Sequence, residues 1–163
     1  MFLAAMSRST EQTSSKKGKA AKIRLNHIGL VSQNISEFVE IFRLLGLDEV
    51  TPPETDPLQK VSASFIAADG EVHIEILEPT DESSPITNFL KKRGAGLHHL
   101  CFEVDDIQEI ADKLVKEGFQ MVCPPVDCAA YDRSFKRQCR QPTKIAFLLL
   151  PNKILIELLQ RGQ

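Results

Sequence analysis

The chain repeats itself, and a fold that must accommodate two like halves is already narrowly constrained. Sliding the sequence along itself aligns Leu25-Asn26-His27-Ile28-Gly29-Leu30 with Leu97-His98-His99-Leu100-Cys101-Phe102, placing His27 and His99 72 residues apart. Ile35 with Ile107, Gly46 with Gly118 and Pro52-Pro53 with Pro124-Pro125 keep that offset. Further on the offset becomes 82, pairing Phe65 with Phe147 and Glu75 of VHIEILE with Glu157 of ILIELLQ. The second copy therefore holds ten more residues between its Pro-Pro pair and its closing strands.

Each copy predicts the same order of elements, βαβββ. A short strand begins at the histidine and alternates faces, with Ile28 and Leu30 on one side and His27, Gly29 and Val31 on the other. A helix follows, marked in the first copy by Ile35, Phe38, Val39, Ile41, Phe42 and Leu45, with Asn34 or Ser36 as N-cap. The second copy has Asp106 as cap and Ile107, Ile110, Ala111, Leu114 and Val115 as its stripe. Gly46 and Gly118 stand where these helices should end. Strands are expected around 47–50 and 119–122, each stopped by its Pro-Pro pair. Two more close each copy, at 61–67 and 72–77, joined through Asp69-Gly70, and at 144–150 and 153–159. The fold class is α+β: two fused βαβββ modules forming one curved mixed sheet, with a concave cleft and helices on the convex face.

At 163 residues the chain suits one domain or two small modules that share a core. Residues 1–22 carry Ser, Thr, Gln, Lys and Gly after a short apolar start, and read as a disordered leader. Residues 23–162 then form one domain: module one at 23–80, a linker at 81–95 and module two at 96–162. A balance of 20 Lys+Arg against 22 Asp+Glu leaves no field to attract nucleic acid, and no apolar run is long enough to cross a membrane. Cytoplasm is the expected location, or the mitochondrial matrix if the leader is a presequence. Cys101, Cys123, Cys128 and Cys139 form no CxxC pair, and reduced thiols account for them most simply, with Cys128–Cys139 the one alternative pairing.

Alternation also places the chemistry. If Ile74 and Ile76 pack under a helix, Glu75 turns to the opposite face; Ile156 and Leu158 do the same for Glu157, and Leu100 for His99. His27, Glu75, His99 and Glu157 then project from the concave face, one His and one Glu from each module. Two imidazoles and two carboxylates suit one divalent first-row ion: Co, Mn, Zn, Ni or Fe. His73 shares the face of Glu75 and is a candidate pocket residue, whereas His98 points away from His99 and is read as a supporting or structural group. Residues 131–137 carry local positive charge in Arg133, Lys136 and Arg137, and read as a loop over the mouth of the site. It either holds a phosphate or carboxylate or is simply solvated.

The paired units with LNHIGL, IEILEP, GLHHLCFEVDDI and ILIELLQ resemble the vicinal oxygen chelate superfamily, which includes glyoxalase I, extradiol dioxygenases, fosfomycin and bleomycin resistance proteins and methylmalonyl-CoA epimerase. The likeness spans residues 25–160, and residues 74–107 look most like the epimerase branch. What it implies is a divalent ion held by His27, Glu75, His99 and Glu157, and an epimerase or isomerase that removes an α-proton from an acyl-CoA-like thioester. It also implies a small-molecule partner and a pairing of chains as homodimers. The sequence departs from the pattern at three places. Leu58 aligns with the family's base glutamate, so Glu54 and Asp56 become the candidate bases. The family's short glycine-rich loop is replaced by the basic segment 128–140, and its His-Pro-Lys loop becomes Leu150-Pro151-Asn152-Lys153. The alternatives are a glyoxalase-like isomerase, a lyase, an Fe(II) dioxygenase, or a non-catalytic binding or resistance protein.

Overall fold

The computed structural model describes residues 23–163, so the leader at 1–22 lies outside the described residues. Module one supplies β1 (Arg24–Val31), α1 (Ile35–Leu44), β2 (Glu54–Asp56), β3 (Val61–Asp69) and β4 (Val72–Pro79). After α2 (Pro85–Arg93), module two supplies β5 (Gly96–Glu103), α3 (Ile107–Lys116), β6 (Gln120–Asp127), α4 (Ala129–Ser134), β7 (Lys144–Leu149) and β8 (Leu155–Gln160). All eight strands join one curled mixed sheet in the order β2-β3-β4-β1-β5-β8-β7-β6. That order reads the same from either end once each strand is exchanged for its repeat partner. A pseudo-twofold axis therefore passes between β1 and β5, the antiparallel seam of the sheet.

The repeated helices form where their signals lie. The Asn34 side chain accepts the Ser36 amide at 3.0 Å, and Asp106 accepts the Glu109 amide at 2.9 Å, each satisfying a donor left over at a helix start. Gly46 and Gly118, at φ 87° and 89°, turn the chain after α1 and α3 in a conformation that disfavours a side chain. Ile35 and Val39 of α1 pack on Ile66 and Ile76, while Ile107 and Ala111 of α3 pack on Ala146, Leu148 and Leu158. These two layers cover the convex face and leave the opposite residues of the same strands facing the cleft.

Four features depart from the expected layout. The segment predicted as a linker contains α2, whose Ile86 and Leu90 pack on Val31, Val61 and Leu77 at one end of the concave face. The predicted loop over the site is in part α4, whose Ala130 and Tyr131 join Phe65, Cys101, Ile145 and Leu159 in a core inside the cleft. The strand expected at 47–50 amounts to a single bridge between Val50 and Ile66, and pairing with β3 resumes only after Pro52-Pro53, at Glu54–Asp56. In module two, Pro124-Pro125 does not stop the strand. It lies within β6 at a register shift between Cys123 and Val126, on the sheet edge, where a missing N–H is tolerated.

Candidate metal centre and cavity

Two rows of residues run across the strands at the centre of the cleft. One follows Phe65, Glu75, Gly29, His99 and Leu155; the next follows Ala67, His73, His27, Cys101, Glu157 and Phe147. The pseudo-twofold exchanges the rows, matching Glu75 with Glu157, His99 with His27 and Gly29 with Cys101. The four expected ligand residues all come together and all are buried.

His27 Nε2 lies 3.1 Å from His99 Nε2, 3.0 Å from Glu157 Oε2 and 3.4 Å from Glu75 Oε2. His99 Nε2 lies 2.9 Å from Glu157 Oε2 and 3.3 Å from Glu75 Oε2. Two atoms bound to one ion through bonds of ~2.1 Å stand ~3.0–3.4 Å apart, according to the angle between them. The donor set therefore fits a single divalent ion. Its orientation fits as well: His27 Nδ1 donates to Asn26 Oδ1 at 2.9 Å, which turns a lone pair on Nε2 toward the centre. Asn26 in turn bonds to Tyr131 Oη at 3.2 Å and donates to Glu103 Oε2 at 3.0 Å, and Arg24 and Arg161 clasp the Glu103 carboxylate at 2.5 and 2.7 Å. On the other side His98, expected on the opposite face, instead lines the same cavity with its Nδ1 3.0 Å from His99 Nδ1, where the β1–β5 pairing shifts register between His99 and Leu97.

Burial is the largest single influence on the ionisation of all four residues and opposes their charged forms. Attraction within the cluster outweighs it, raising His27, through the Cys101 sulfur and then Glu75 and Glu157, and His99, and lowering Glu75 and Glu157. The cluster thus favours positive charge at its centre, whether protons or a cation. Gly29 makes room for it. A Cβ at that position would overlap Cε1, Nδ1 and Nε2 of the His99 ring, which passes close to the β1 backbone there.

These four side chains form the floor of a 590 Å³ cavity with largely apolar walls, among them Val61, Ala63, Phe65, Leu77, Ile145 and Phe147. Glu54 faces this cavity, carried there by β2, with its Oε2 held by Arg133 Nε at 3.0 Å. Asp56 also borders it, but both of its oxygens are engaged. Oδ1 accepts the Leu58 and Gln59 amides, and Oδ2 accepts the Cys128 thiol. Leu58 lines the cavity too, as an exposed apolar residue on its rim.

The four expected substrate-binding residues stand elsewhere. His73 shares the face of Glu75 but is packed between Phe65 and Phe135, with its Nδ1 buried and unpartnered, and burial lowers its pKa. Arg133 is turned toward Glu54 and the Thr55 carbonyl, and Arg137 toward the Gly162 carbonyl. None of His73, Arg133, Lys136 or Arg137 lines the cavity. Asp132, in the same segment, is buried and accepts the amide and hydroxyl of Thr143, tying α4 to the sheet. All four cysteines are free thiols. Among the described residues no helix is long and apolar enough to cross a membrane.

Known proteins with this pattern agree on the lineage. Residues 26–136 match the model of the Glyoxalase/Bleomycin resistance protein/Dioxygenase superfamily. The mitochondrial methylmalonyl-CoA epimerase of Dictyostelium discoideum is 31% identical over 117 residues, which cover 71% of this chain and 70% of that one. The uncharacterized protein YqjC of Bacillus subtilis is 35% identical over 138 residues, 83% of this chain and 90% of that one. A solved methylmalonyl-CoA epimerase in complex with methylmalonyl-CoA superposes with a TM-score of 0.68 at 25% identity, covering 85% of this chain and 94% of that one. With the duplicated fold and two thirds of its length matched, the chain belongs to the glyoxalase/bleomycin resistance protein/dioxygenase superfamily and counts methylmalonyl-CoA epimerases among its relatives.

Proposed function

We propose that the protein is a divalent-metal-dependent isomerase that inverts an acyl-CoA-like thioester by removing and returning the proton beside its carbonyl. The observation that carries this reading is the convergence of two imidazoles and two carboxylates on the floor of an apolar cavity, in a chain whose relatives include epimerases of such thioesters. His27, Glu75, His99 and Glu157 would hold one ion of Co, Mn, Zn, Ni or Fe. When bound there, the cation supplies Lewis acidity, which makes a proton next to a carbonyl easier to remove.

The chain's own residues supply the rest. Walls such as Phe65, Leu77 and Phe147 exclude water, which strengthens every charge interaction inside. Glu54 is the cavity carboxylate with an oxygen to spare. Arg133 fixes its Oε2, and the other oxygen is free to take a proton from one face of the acyl carbon, while inversion requires a proton to reach the opposite face, from a second acid or after the flattened carbon turns over. Asp56, with both oxygens occupied, holds the turn between β2 and β3 rather than moving protons.

Exchange of the α-proton into deuterated water, followed by NMR on an acyl-CoA such as methylmalonyl-CoA, tests this directly. Exchange is expected to require a divalent ion, to fall at least 100-fold in Glu75→Ala, and to fall comparably in Glu54→Gln with metal affinity intact. A protein that carries its metal but never exchanges that proton refutes the reading. A Glu54→Gln variant exchanging at the wild-type rate removes Glu54 from it.

A further inference from the structure

The two ends of the cleft are related by the pseudo-twofold, yet they differ in cover and in charge. At one end His73 is sealed by Phe135, and the β3–β4 turn carries Glu71, paired with Arg24 at 2.8 Å and Arg161 at 4.0 Å. The repeat offset of 82 makes Leu155 the counterpart of His73 and Lys153 the counterpart of Glu71. Leu155 lines the main cavity and also a second recess of 450 Å³, formed with Phe89, Arg93, His98, Leu149 and Lys153. The closed end thus presents a paired acid where the open end presents a base. The Arg93 guanidinium lies over the Phe89 ring at 5.6 Å from its centre, and neither Arg93 nor Lys153 enters an ion pair among the described residues.

We infer that this recess, between α2 and the β7–β8 turn, anchors the phosphate-bearing handle of the substrate while the acyl end lies over the four ligands. The inference rests on the acyl thioester reading above. Three features support it. The recess adjoins the cavity, with His98 and Leu155 bordering both. Its two unpaired cations suit phosphate groups, and Phe89 beside them offers a face for a base or an alkyl arm. Glu157 lies four residues beyond Lys153, about 13 Å along an extended chain, a span of the order of a pantetheine arm. The basic residues of 131–137 are poorly placed for this role, because Arg133 and Arg137 are already bonded to Glu54 and to the Gly162 carbonyl.

Calorimetric titration of the full metal-loaded chain with free coenzyme A, and with a pantetheine thioester lacking phosphates, separates the outcomes. In the double variant Arg93→Gln/Lys153→Gln the Kd for coenzyme A should rise about tenfold, with a shallower salt dependence. The Kd for the phosphate-free thioester and for the metal should stay the same, and Lys136→Gln should leave coenzyme A binding as it was. An unchanged coenzyme A affinity in the double variant overturns the assignment, and so does wild-type protein that binds an acyl-CoA no more tightly than the phosphate-free pantetheine thioester of the same acyl group. Coenzyme A bound through Arg93 and Lys153 without α-proton exchange on any acyl-CoA supports the recess and refutes the isomerase reading. Exchange on phosphate-free thioesters with the kcat/KM seen for acyl-CoA supports the isomerase and refutes the recess.

Discussion

Gly29→Ala adds one carbon to β1 at the point where the His99 ring crosses the strand. The backbone there is not in the left-handed region, so alanine itself is conformationally acceptable and the effect is steric. The added Cβ would overlap the ring, and ordinary contact between such atoms needs ~3.5 Å, so the ring must withdraw by more than ~1 Å. A metal–ligand bond tolerates ~0.2 Å. Sideways escape is limited, because the ring meets Phe147 and His98 edge to face at 5.7 and 5.3 Å between centres. One of four ligands is therefore lost. Changes to groups merely supporting a ligand cost 10–100-fold in affinity, so removal of a ligand should cost at least 100-fold, about 2.7 kcal/mol. Overpacking should also cost about 1–3 kcal/mol of stability, less up to ~1 kcal/mol regained from the stiffer unfolded chain. Competition of Co²⁺ or Zn²⁺ against a chromogenic chelator measures the first, and urea unfolding of metal-free protein the second. A variant that is folded and binds metal within threefold of wild type would show that His99 does not depend on the bare backbone at Gly29.

Two further outcomes concern the supports. Glu103→Gln removes a carboxylate that burial pushes up but that Arg24, Arg161 and Asn26 hold below its ordinary value of 4.5 in the folded chain. Its contribution, about 2 kcal/mol, is therefore fully present above pH 4.5 and drains away as the pH falls through the folded value. The Tm difference between wild type and variant should be roughly 6 °C at pH 7 and shrink toward pH 3; a gap independent of pH would assign the effect to packing instead. Asn34→Ala and Asp106→Ala should each cost about 1 kcal/mol in urea unfolding, and the double variant about their sum, since the two helices are separate. A strongly non-additive result would mean that α1 and α3 are coupled through the sheet.

The residues legible from the sequence were those with a partner at a fixed offset. The repeat exposes the four candidate ligands because His27 and His99, and Glu75 and Glu157, are compared with each other rather than judged alone, and flanking isoleucines and leucines set their facing. Elements without a counterpart were harder to see. The start of α2 was in fact readable, with Ser84 before Pro85 and Ile86, Phe89 and Leu90 at helical spacing, but it lay where a duplication implies only a tether. The six residues of α4 are too few for periodicity to register. Lateral placement was the other blind spot. Alternation says that His73 faces the cleft, but not that Phe135 covers it. A count of basic residues at 131–137 cannot say that Arg133 and Arg137 are already bonded, or that Arg93 and Lys153, distant in sequence, border one recess.

The ten extra residues of module two help to place α4 inside the cleft. In a symmetric pair of separate modules, any such insertion would occur twice about the axis and cover both ends of the same site. Fusing the copies into one chain lets a single insertion close one end and leave the other open. A pocket with a back and a front is thus something this chain owes to covalent linkage, and reverting it to two identical modules would forfeit it even if His27, Glu75, His99 and Glu157 were kept.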